Sequence, residues 1–129
     1  MLVIVRGLPG SGKSTFAEKL GVGFQHYEAD MFFMVKGKYH FIPELLPCAH
    51  KWCQEQARKD LEMGLHVSVA NTFTMLWEMQ PYLDMAKALS CWMDVVKCTG
   101  NFKNSHGVPD SVIEKMKERW EDFPGEVEV

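Results

Sequence analysis

Short apolar runs and helical stripes alternate from one end of the chain to the other. Residues 3–5 are a β-branched run typical of a strand buried on both faces, and residues 24–29, 66–70 and 91–98 predict three more strands. After residue 123, valines alternate with glutamates, a pattern that favours a short edge strand. The segments between consecutive strands are long enough to hold a helix.

Helical periodicity fills those segments. It predicts helices over residues 14–20, from Pro43 or Pro47 to about residue 63, from after residue 74 to about 89, and from Pro109 to about 122. Gly64 is the natural C-terminal cap of the second helix. Residues 31–43 fit either a small hairpin or a short helix followed by a loop. The alternation predicts a single three-layer α/β domain over residues 1–129 with a mainly parallel sheet.

The loop between the first strand and the first helix carries a phosphate-binding motif. It matches the P-loop pattern G-x-x-x-x-G-K-[ST] with Gly7, Leu8, Pro9, Gly10, Ser11, Gly12, Lys13 and Ser14. Glycines let the backbone approach phosphate oxygens, and successive amide N–H groups form an anion nest beside a helix N-terminus. A strand before the motif and a helix after it are the context that the motif requires.

Three residues at the end of the motif have distinct expected roles. The Lys13 ammonium reaches the β- and γ-phosphates of a nucleoside triphosphate, and the Ser14 hydroxyl is a ligand of Mg²⁺. Thr15 follows on the side of the α-phosphate. The motif therefore predicts a nucleoside triphosphate and Mg²⁺ as cofactors, and it defines neither the reaction nor a preference for ATP over GTP. We take ATP as the expected nucleotide.

The carboxylates at other strand ends separate a kinase from a nucleotide-hydrolysing switch. Switch proteins usually place an Asp after a later strand, whereas the strand at residues 66–70 runs into Asn71. The acidic strand end is the second one, at Asp30, which a parallel sheet brings to the edge that carries the P-loop. Asp30 there fits a general base for an attacking hydroxyl, and it also fits the N-cap of the next segment. The first interpretation favours a kinase.

Several segments together resemble a family of P-loop kinases. The group that the chain resembles contains the phage polynucleotide 5′-kinase domain and small relatives encoded by phages and animals. The matching segments are residues 6–15, 30–33, 71–72, 104–109 (Asn-Ser-His-Gly-Val-Pro) and 116–121 (Met-Lys-Glu-Arg-Trp-Glu). The last two segments are much more particular to this group than the P-loop is.

The resemblance implies a fold, an activity and a set of roles. The fold is that of P-loop NTPases, with four or five strands in the order 2-3-1-4 and a lid at about residues 100–108. Asp30 is then the general base, while Lys13 and Ser14 are the phosphate and Mg²⁺ residues. In this family the lid supplies arginines to the transferring phosphate, and here Lys103 and, further on, Arg119 offer that charge. Lysine supplies charge without the bidentate fork of arginine.

Departures from the family pattern fall in the acceptor pocket. Positions that often hold a second Asp and a basic residue are Met31 and Phe33 here, and the family's Asp-Thr-Asn after the third strand is Asn-Thr-Phe at residues 71–73. These changes make the pocket less polar and leave the transfer residues in place. The predicted acceptor-binding residues are Asp30, Phe33, Asn71 and Thr72.

Other side chains near the predicted site leave alternatives open. A platform for an acceptor base and a minor core under the loop are both consistent with the aromatic cluster Phe32, Phe33, Tyr39 and Phe41. Lys36 and Lys38 either flank a phosphate backbone or belong to a solvated turn. Arg6 is expected to steady the nucleotide or to bind an acceptor phosphate. His106 either contacts phosphate or hydrogen-bonds the lid backbone.

Composition and charge narrow the expected partners. Lys and Arg total 14 against 17 Asp and Glu, a net charge of −3, so a global electrostatic grip on long nucleic acid is not expected. No apolar run is long enough to span a membrane, so no membrane partner is expected. The four cysteines lack metal-ligand spacing. With no targeting segment, they predict reduced thiols and a cytoplasmic location, in the host cell if the protein is phage-encoded.

The sequence predicts an ATP- and Mg²⁺-dependent kinase that transfers the γ-phosphate to a hydroxyl of a nucleic acid or nucleotide. Three alternatives remain. They are a kinase of 5-hydroxymethylpyrimidines within phage DNA, a small-molecule or mononucleotide kinase, and a nucleotide-binding module without an acceptor.

Overall fold

Seven strands and four α-helices are present in the part of the chain that the computed structural model describes, residues 1–103 and 107–129. The strands are β1 (Leu2–Arg6), β2 (Phe24–Tyr27), β3 (Met34–Val35), β4 (Lys38–Tyr39), β5 (His66–Asn71), β6 (Met93–Lys97) and β7 (Val127–Glu128). The helices are α1 (Lys13–Lys19), α2 (Leu46–Glu62), α3 (Leu76–Ala88) and α4 (Asp110–Arg119). None of the described helices has the length and apolar character needed to cross a membrane.

Five of the strands form one parallel sheet in the order β2-β5-β1-β6-β7. Numbered within this sheet alone, the order is 2-3-1-4 with a fifth strand at the edge, so the predicted order and the predicted edge strand are confirmed. Because the strands are parallel, their carboxyl ends meet at one edge. The central strand β1 therefore delivers the P-loop to that edge, between the ends of β5 and β6.

The sheet is covered on both faces, as the apolar run of β1 predicts. Leu2 and Ile4 point to one face and share a core with Cys53 of α2 and Met79 of α3. Val3 and Val5 point to the opposite face. There they pack with side chains of α1 and its C-terminal end, Phe16 and Leu20. The three-layer α/β prediction is confirmed, and the alternation along β1 connects the layers.

The segment between β2 and α2 combines the two structures that the sequence left open. A 3₁₀ turn at Ala29–Phe33 leads into the antiparallel β3–β4 hairpin, and a second 3₁₀ turn at Pro43–Leu45 leads into α2. Asn71 Oδ1 accepts a hydrogen bond from Ala29 N at 2.9 Å, which attaches the first turn to the end of β5. The hairpin therefore stands beside the edge of the sheet that carries the P-loop.

The C-terminal ends of α2 and α4 can be compared with the ends that the sequence predicts. Gly64 has φ 79°, the left-handed conformation of a C-terminal cap, as predicted after α2. The last helix ends at Arg119 rather than at the predicted residue 122. Trp120 leaves helical geometry with φ −60° and ψ 128°, and its ring packs 4.2 Å from the Arg6 guanidinium. This tertiary contact coincides with the end of α4 and has no periodic signal in the sequence.

Candidate functional site

The P-loop joins β1 to α1 through backbone conformations that require glycine. Gly10 and Gly12 have φ of 80° and 96°, in the left-handed region that glycine adopts without a steric penalty. Gly7 lies so close to the end of β6 that an added Cβ would be 2.9 Å from the Cys98 carbonyl oxygen. The sequence motif therefore folds here into the tight turn that it predicts.

Lys13, the first residue of α1, folds back over the loop. Its Nζ donates to the carbonyl oxygens of Gly7 and Leu8, each at 3.0 Å. Burial lowers the pKa of Lys13, an effect that the neighbouring acidic groups Glu28 and Asp30 oppose. The Nζ is thus held at the mouth of the loop, where phosphate oxygens could replace the two carbonyls as acceptors.

A chain of hydrogen bonds runs from Ser14 into the sheet. Ser14 Oγ donates to Glu28 Oε2 at 3.1 Å, and the same oxygen lies 2.7 Å from His26 Nε2. His26 Nδ1 lies 2.8 Å from Ser68 Oγ on β5. Burial acts to raise the pKa of Glu28, but hydrogen bonding and charge from His26, with help from Ser14 and Lys13, outweigh it and lower that pKa. Glu28 is therefore a carboxylate at neutral pH.

Asp30 lies in the 3₁₀ turn after β2 and faces the same cavity as the P-loop. Tyr39 Oη donates to Asp30 Oδ1 at 3.1 Å. Burial and the adjacent Asp30 raise the pKa of Tyr39 to about 12, so the hydroxyl keeps its proton at neutral pH and continues to donate it. The N-cap of this turn is Glu28, so the alternative that Asp30 serves as the N-cap is wrong.

Asn71 and Thr72, at the end of β5, connect the two halves of the site. The Asn71 side chain accepts from Ala29 N, next to Asp30, at 2.9 Å, and the Thr72 carbonyl accepts from Gly7 N at 3.3 Å. Both residues line the cavity. They therefore fix the position of the Asp30 turn relative to the P-loop.

The loop after β6 packs along the P-loop. Gly100 N donates to Ser11 O at 3.1 Å, and Phe102 N donates to Gly10 O at 2.7 Å. The Phe102 ring lies against Gly12 although it is 69% exposed, and Lys103 follows it on the cavity wall. The centre of the predicted lid, residues 104–106 including Asn104 and His106, lies outside the described residues.

Arg119 brings a second predicted cation to the cavity, from the last residue of α4. Its Nε donates to Thr74 Oγ1 at 3.1 Å, and Thr74 Oγ1 donates to Glu78 Oε2 at 2.9 Å. This anchor fixes the base of the guanidinium against the start of α3.

Most of the predicted site residues line one open cavity of about 540 Å³. The predicted residues that line it are Pro9, Gly10, Gly12, Lys13, Ser14, Thr15, Asp30, Asn71, Thr72, Lys103 and Arg119. Leu8 and Ser11 line a smaller neighbouring cavity, and Gly7 is buried under the loop. The structure thus brings together the phosphate-binding, base and lid residues that the sequence predicted.

Phe33 is the predicted acceptor residue that does not reach this cavity. Its side chain is 2% exposed and packs in a small core with Ala29 and Ala49. Tyr39 and Phe41 pack over it, 43% and 46% exposed, with their rings nearly parallel at 4°. Phe33 is therefore the buried centre of the aromatic cluster. Tyr39 and Phe41 form the part of the cavity wall that this cluster supplies.

Arg6 also has a different place from the expected one. It is fully buried, so the expectation that it contacts nucleotide or acceptor phosphate is wrong. Its guanidinium donates to the Glu126 carboxylate and to the backbone carbonyls of Phe73, Thr74 and Glu121. Arg6 therefore ties the end of the central strand to the C-terminal segment.

The donor atoms beside the P-loop suit Mg²⁺. Mg²⁺ prefers oxygen ligands and is usually held by one or two carboxylates or hydroxyls together with substrate phosphates. Ser14 Oγ and the Glu28 carboxylate lie side by side here. Within residues 1–103 and 107–129, no group of three or more His, Cys, Asp or Glu side chains could hold a metal by itself. A bound Mg²⁺ would therefore take its remaining ligands from nucleotide phosphates and water.

Sequence reasoning missed Glu28, the Tyr39 hydroxyl and the Phe102 ring as parts of the site. A signal for Glu28 was present, because alternate residues of an extended segment share a face and Glu28 is two residues before Asp30. The other two depend on how the hairpin and the loop after β6 fold over the sheet edge. Local pattern does not specify either fold.

Replacing Gly12 with Ala is expected to weaken nucleotide binding about tenfold or more, measured by calorimetric titration with ATP. An alanine at φ 96° is strained by about 1–2 kcal/mol. Affinity falls when the free loop relieves this strain by leaving the binding conformation, because binding must then restore it, and 1.4 kcal/mol corresponds to a factor of ten. The alanine Cβ would also lie 3.3 Å from the Phe102 ring. Relaxation of either conflict moves the loop amides beside Lys13.

Gly21→Ala is the matched control for this variant. Gly21 has φ 88°, and an added Cβ there would have no heavy atom within 4 Å. Both variants should lose stability, and only Gly12→Ala should lose affinity for ATP. Equal ATP affinity in the two variants would contradict the assignment of the loop.

A parallel sheet in this order, with a lysine-bearing glycine loop after its central strand, defines a P-loop nucleotide-binding fold of the P-loop kinase superfamily. A family model described as "AAA domain" matches residues 2–122. The chain belongs to this family.

Comparison with individual proteins agrees with this assignment. NEDD4-binding protein 2 of Homo sapiens is 32% identical over 139 residues, an alignment that covers 95% of this chain and 8% of the human protein. The chain therefore spans only a small part of that relative. A solved structure titled "Structure of the Pnkp1/Rnl/Hen1 RNA repair complex" superposes with a TM-score of 0.70 at 22% identity, covering 92% of this chain and 43% of the other. A gluconokinase from Sinorhizobium meliloti 1021 gives a TM-score of 0.63 at 17% identity, covering 98% and 80%.

Proposed function

We propose that the protein is a kinase that uses ATP and Mg²⁺ to phosphorylate a hydroxyl of a nucleic acid or nucleotide. The observation that carries this proposal is the position of Asp30. Its carboxylate faces the cavity that the P-loop opens into. Asp30 follows β2, which lies two places from β1, the strand that precedes the P-loop. A base at that position can act on a hydroxyl that approaches the bound triphosphate.

Asp30 takes the proton of the acceptor hydroxyl in this mechanism. As the acceptor oxygen bonds to the γ-phosphorus, the bond between that phosphorus and the β–γ bridging oxygen breaks and ADP leaves, while the acceptor's proton passes to a carboxylate oxygen of Asp30. The Tyr39 hydroxyl, which donates to Oδ1, orients the carboxylate. The attachment of Ala29 N to Asn71 holds the turn in place, so the base is positioned before the acceptor arrives.

The P-loop and the cavity wall bind the transferring group. Lys13 exchanges its contacts with loop carbonyls for oxygens of the β- and γ-phosphates, which the loop amides also hold. Ser14 would hold Mg²⁺, which would offset the negative charge of the phosphates. Lys103 and Arg119 add positive charge from the wall where the predicted lid begins and from α4.

The sheet order supports a model in which donor and acceptor approach the P-loop from opposite sides. Asp30 follows β2, on the β5 side of β1, whereas Phe102 and Lys103 follow β6 on its other side. In-line transfer requires the attacking and leaving oxygens to lie on opposite sides of the phosphorus. The acceptor therefore belongs beside Asp30 and Tyr39, and the donor nucleoside belongs beside Phe102.

The acceptor wall favours a nucleobase over a purely polar acceptor. Tyr39 and Phe41 present two nearly parallel, half-exposed rings to the cavity, and base–aromatic stacking contributes about 1–3 kcal/mol per base. Lys36 and Lys38 are exposed on the same hairpin. Similarity to a structure named for RNA repair supports this class of acceptor, while similarity to a gluconokinase supports the small-molecule alternative.

Incubation with γ-labelled ATP and a panel of acceptors tests the proposal. The panel contains 5′-hydroxyl DNA, 5′-hydroxyl RNA, DNA with 5-hydroxymethylpyrimidines, free nucleosides and gluconate. We expect label on a 5′-hydroxyl end or on a nucleoside, and none when Lys13→Ala replaces the wild type. The alanine removes the ammonium that binds the transferred phosphate.

Each other result selects a different function. Label confined to the hydroxymethylated base would show a base-modifying kinase, and label confined to gluconate would show a small-molecule kinase. Release of inorganic phosphate without a labelled acceptor would leave a nucleotide-binding module and overturn the proposal.

A further inference from the structure

The end of β5 lacks the acidic side chain that a magnesium site at this edge usually uses. P-loop proteins commonly hold Mg²⁺ with the hydroxyl of the loop and a carboxylate at the end of a neighbouring strand. β1 has two neighbours here, β5 and β6. β6 ends at Lys97, and β5 ends at Asn71, whose side-chain oxygen accepts from Ala29 N. A carboxylate from another element must take that role if the P-loop binds Mg²⁺ in this way.

Three carboxylates line the cavity within the described residues: Glu28, Asp30 and Glu78. Glu78 accepts from Thr74 Oγ1 and from Met75 N, so it serves the start of α3. Asp30 accepts from Tyr39, on the acceptor side. Glu28 is the member of the set that contacts the P-loop hydroxyl, with Oε2 at 3.1 Å from Ser14 Oγ.

The surroundings of Glu28 hold it in a fixed orientation. Oε2 lies 2.7 Å from His26 Nε2, and the other nitrogen of that ring lies 2.8 Å from the hydroxyl of Ser68, a fully buried residue of β5. A buried residue of the sheet thus orients the imidazole, and the imidazole orients the carboxylate. Metal-binding side chains are commonly held by such outer hydrogen bonds.

We propose that Glu28 is the carboxylate that binds Mg²⁺ together with Ser14, in place of an acidic residue at the end of β5. His26 and Ser68 are positioning residues for Glu28. This inference rests on the proposed nucleotide site, but it requires no acceptor and no general base. The two acidic residues after β2 then have different roles: Glu28 binds the metal, and Asp30 acts on the acceptor.

Binding of Mn²⁺ tests this assignment by a readout that does not involve catalysis. Titration of Mn²⁺ into the protein with ADP, followed by the loss of the free Mn²⁺ electron paramagnetic resonance signal, gives the metal affinity of the ternary complex. Glu28→Gln is expected to weaken Mn²⁺ binding by at least about 10- to 100-fold, because loss of a hydrogen-bond partner behind a metal ligand already costs that much. ADP affinity without metal should be retained or improved, because a negative charge near the phosphates is removed.

Asp30→Asn is the matched control, since it neutralises a second carboxylate of the same cavity. It should keep the wild-type Mn²⁺ affinity. His26→Gln, which acts only through Glu28, should lower the affinity by less than Glu28→Gln does. Thermal melting without ligand checks that the variants are folded, and Glu28→Asp, which keeps the charge on a shorter side chain, should recover part of the Mn²⁺ affinity.

Wild-type Mn²⁺ affinity in folded Glu28→Gln would overturn the inference, as would a larger loss in Asp30→Asn than in Glu28→Gln. Neither result would affect the proposed kinase activity, which the acceptor panel tests separately. Failure of the wild-type protein to bind Mn²⁺ with ADP at all would instead overturn the proposed nucleotide site and this inference together.

Discussion

Replacing Asp30 with Asn is expected to slow phosphoryl transfer by about 10²- to 10⁴-fold, the usual contribution of a positioned general base. Asn keeps the shape of the side chain and can still accept a hydrogen bond from Tyr39 at the position of Oδ1. It cannot accept the proton of an acceptor hydroxyl. The affinity for ATP should stay at the wild-type level, because Lys13, Ser14 and the loop amides are unchanged.

Single-turnover transfer of labelled γ-phosphate to the best acceptor of the panel measures this loss, and calorimetric titration measures ATP binding. Asp84→Asn is the matched control: Asp84 is exposed on α3, where it accepts from Gln80 at 2.8 Å, and it does not line the cavity. Turnover at the wild-type rate by the Asp30 variant would remove the base assignment. Equal losses in both variants would show a nonspecific effect of charge.

The buried central strand and the P-loop could be predicted because both are encoded in local sequence. A strand buried on both faces is apolar at every position, as residues 2–5 are, and a loop that needs left-handed backbone carries glycine at defined positions. The order of the strands followed from the family resemblance, since local pattern alone does not specify which strands are neighbours.

The acceptor side was less predictable because it depends on packing between distant segments. Four aromatic residues near Asp30 have similar propensities, and the sequence does not reveal which ring is buried. The structure selects Phe33, because Ala49 of α2 leaves room for its ring beneath the hairpin. Tyr39 then reaches Asp30 with its hydroxyl, a contact between residues nine positions apart across the hairpin.

Arg6 shows the same limit for a charged residue. An arginine directly before a phosphate-binding loop suggests a phosphate contact. Its partners in the structure are mostly backbone carbonyls, at Phe73, Thr74 and Glu121, and carbonyls have no sequence signature. A structural role of this kind becomes visible only when the C-terminal segment is seen to fold across the end of β1.

Replacing Arg6 with Met is expected to lower the free energy of unfolding by about 3–5 kcal/mol, measured by urea denaturation followed by circular dichroism. The substitution keeps much of the buried volume and removes every hydrogen bond of the guanidinium. Glu126, whose side chain is 7% exposed, then stays buried without its partner at 3.0 Å. A loss of this size is a large part of the 5–15 kcal/mol that stabilises a typical domain.

Arg58→Met is the control, because Arg58 is exposed on α2, and its loss should stay within about 0.5 kcal/mol, as is usual for surface substitutions. The double variant Arg6→Met/Glu126→Met gives the sharper comparison. If the cost arises from an uncompensated buried carboxylate, removing Glu126 as well should restore part of the stability that Arg6→Met loses. A double variant less stable than Arg6→Met would contradict this explanation and place the cost in the orphaned carbonyls of Phe73 and Glu121 instead. In both variants the C-terminal segment loses its contacts with the end of β1, at the Glu121 carbonyl and the Trp120 ring, while β7 keeps its pairing with β6.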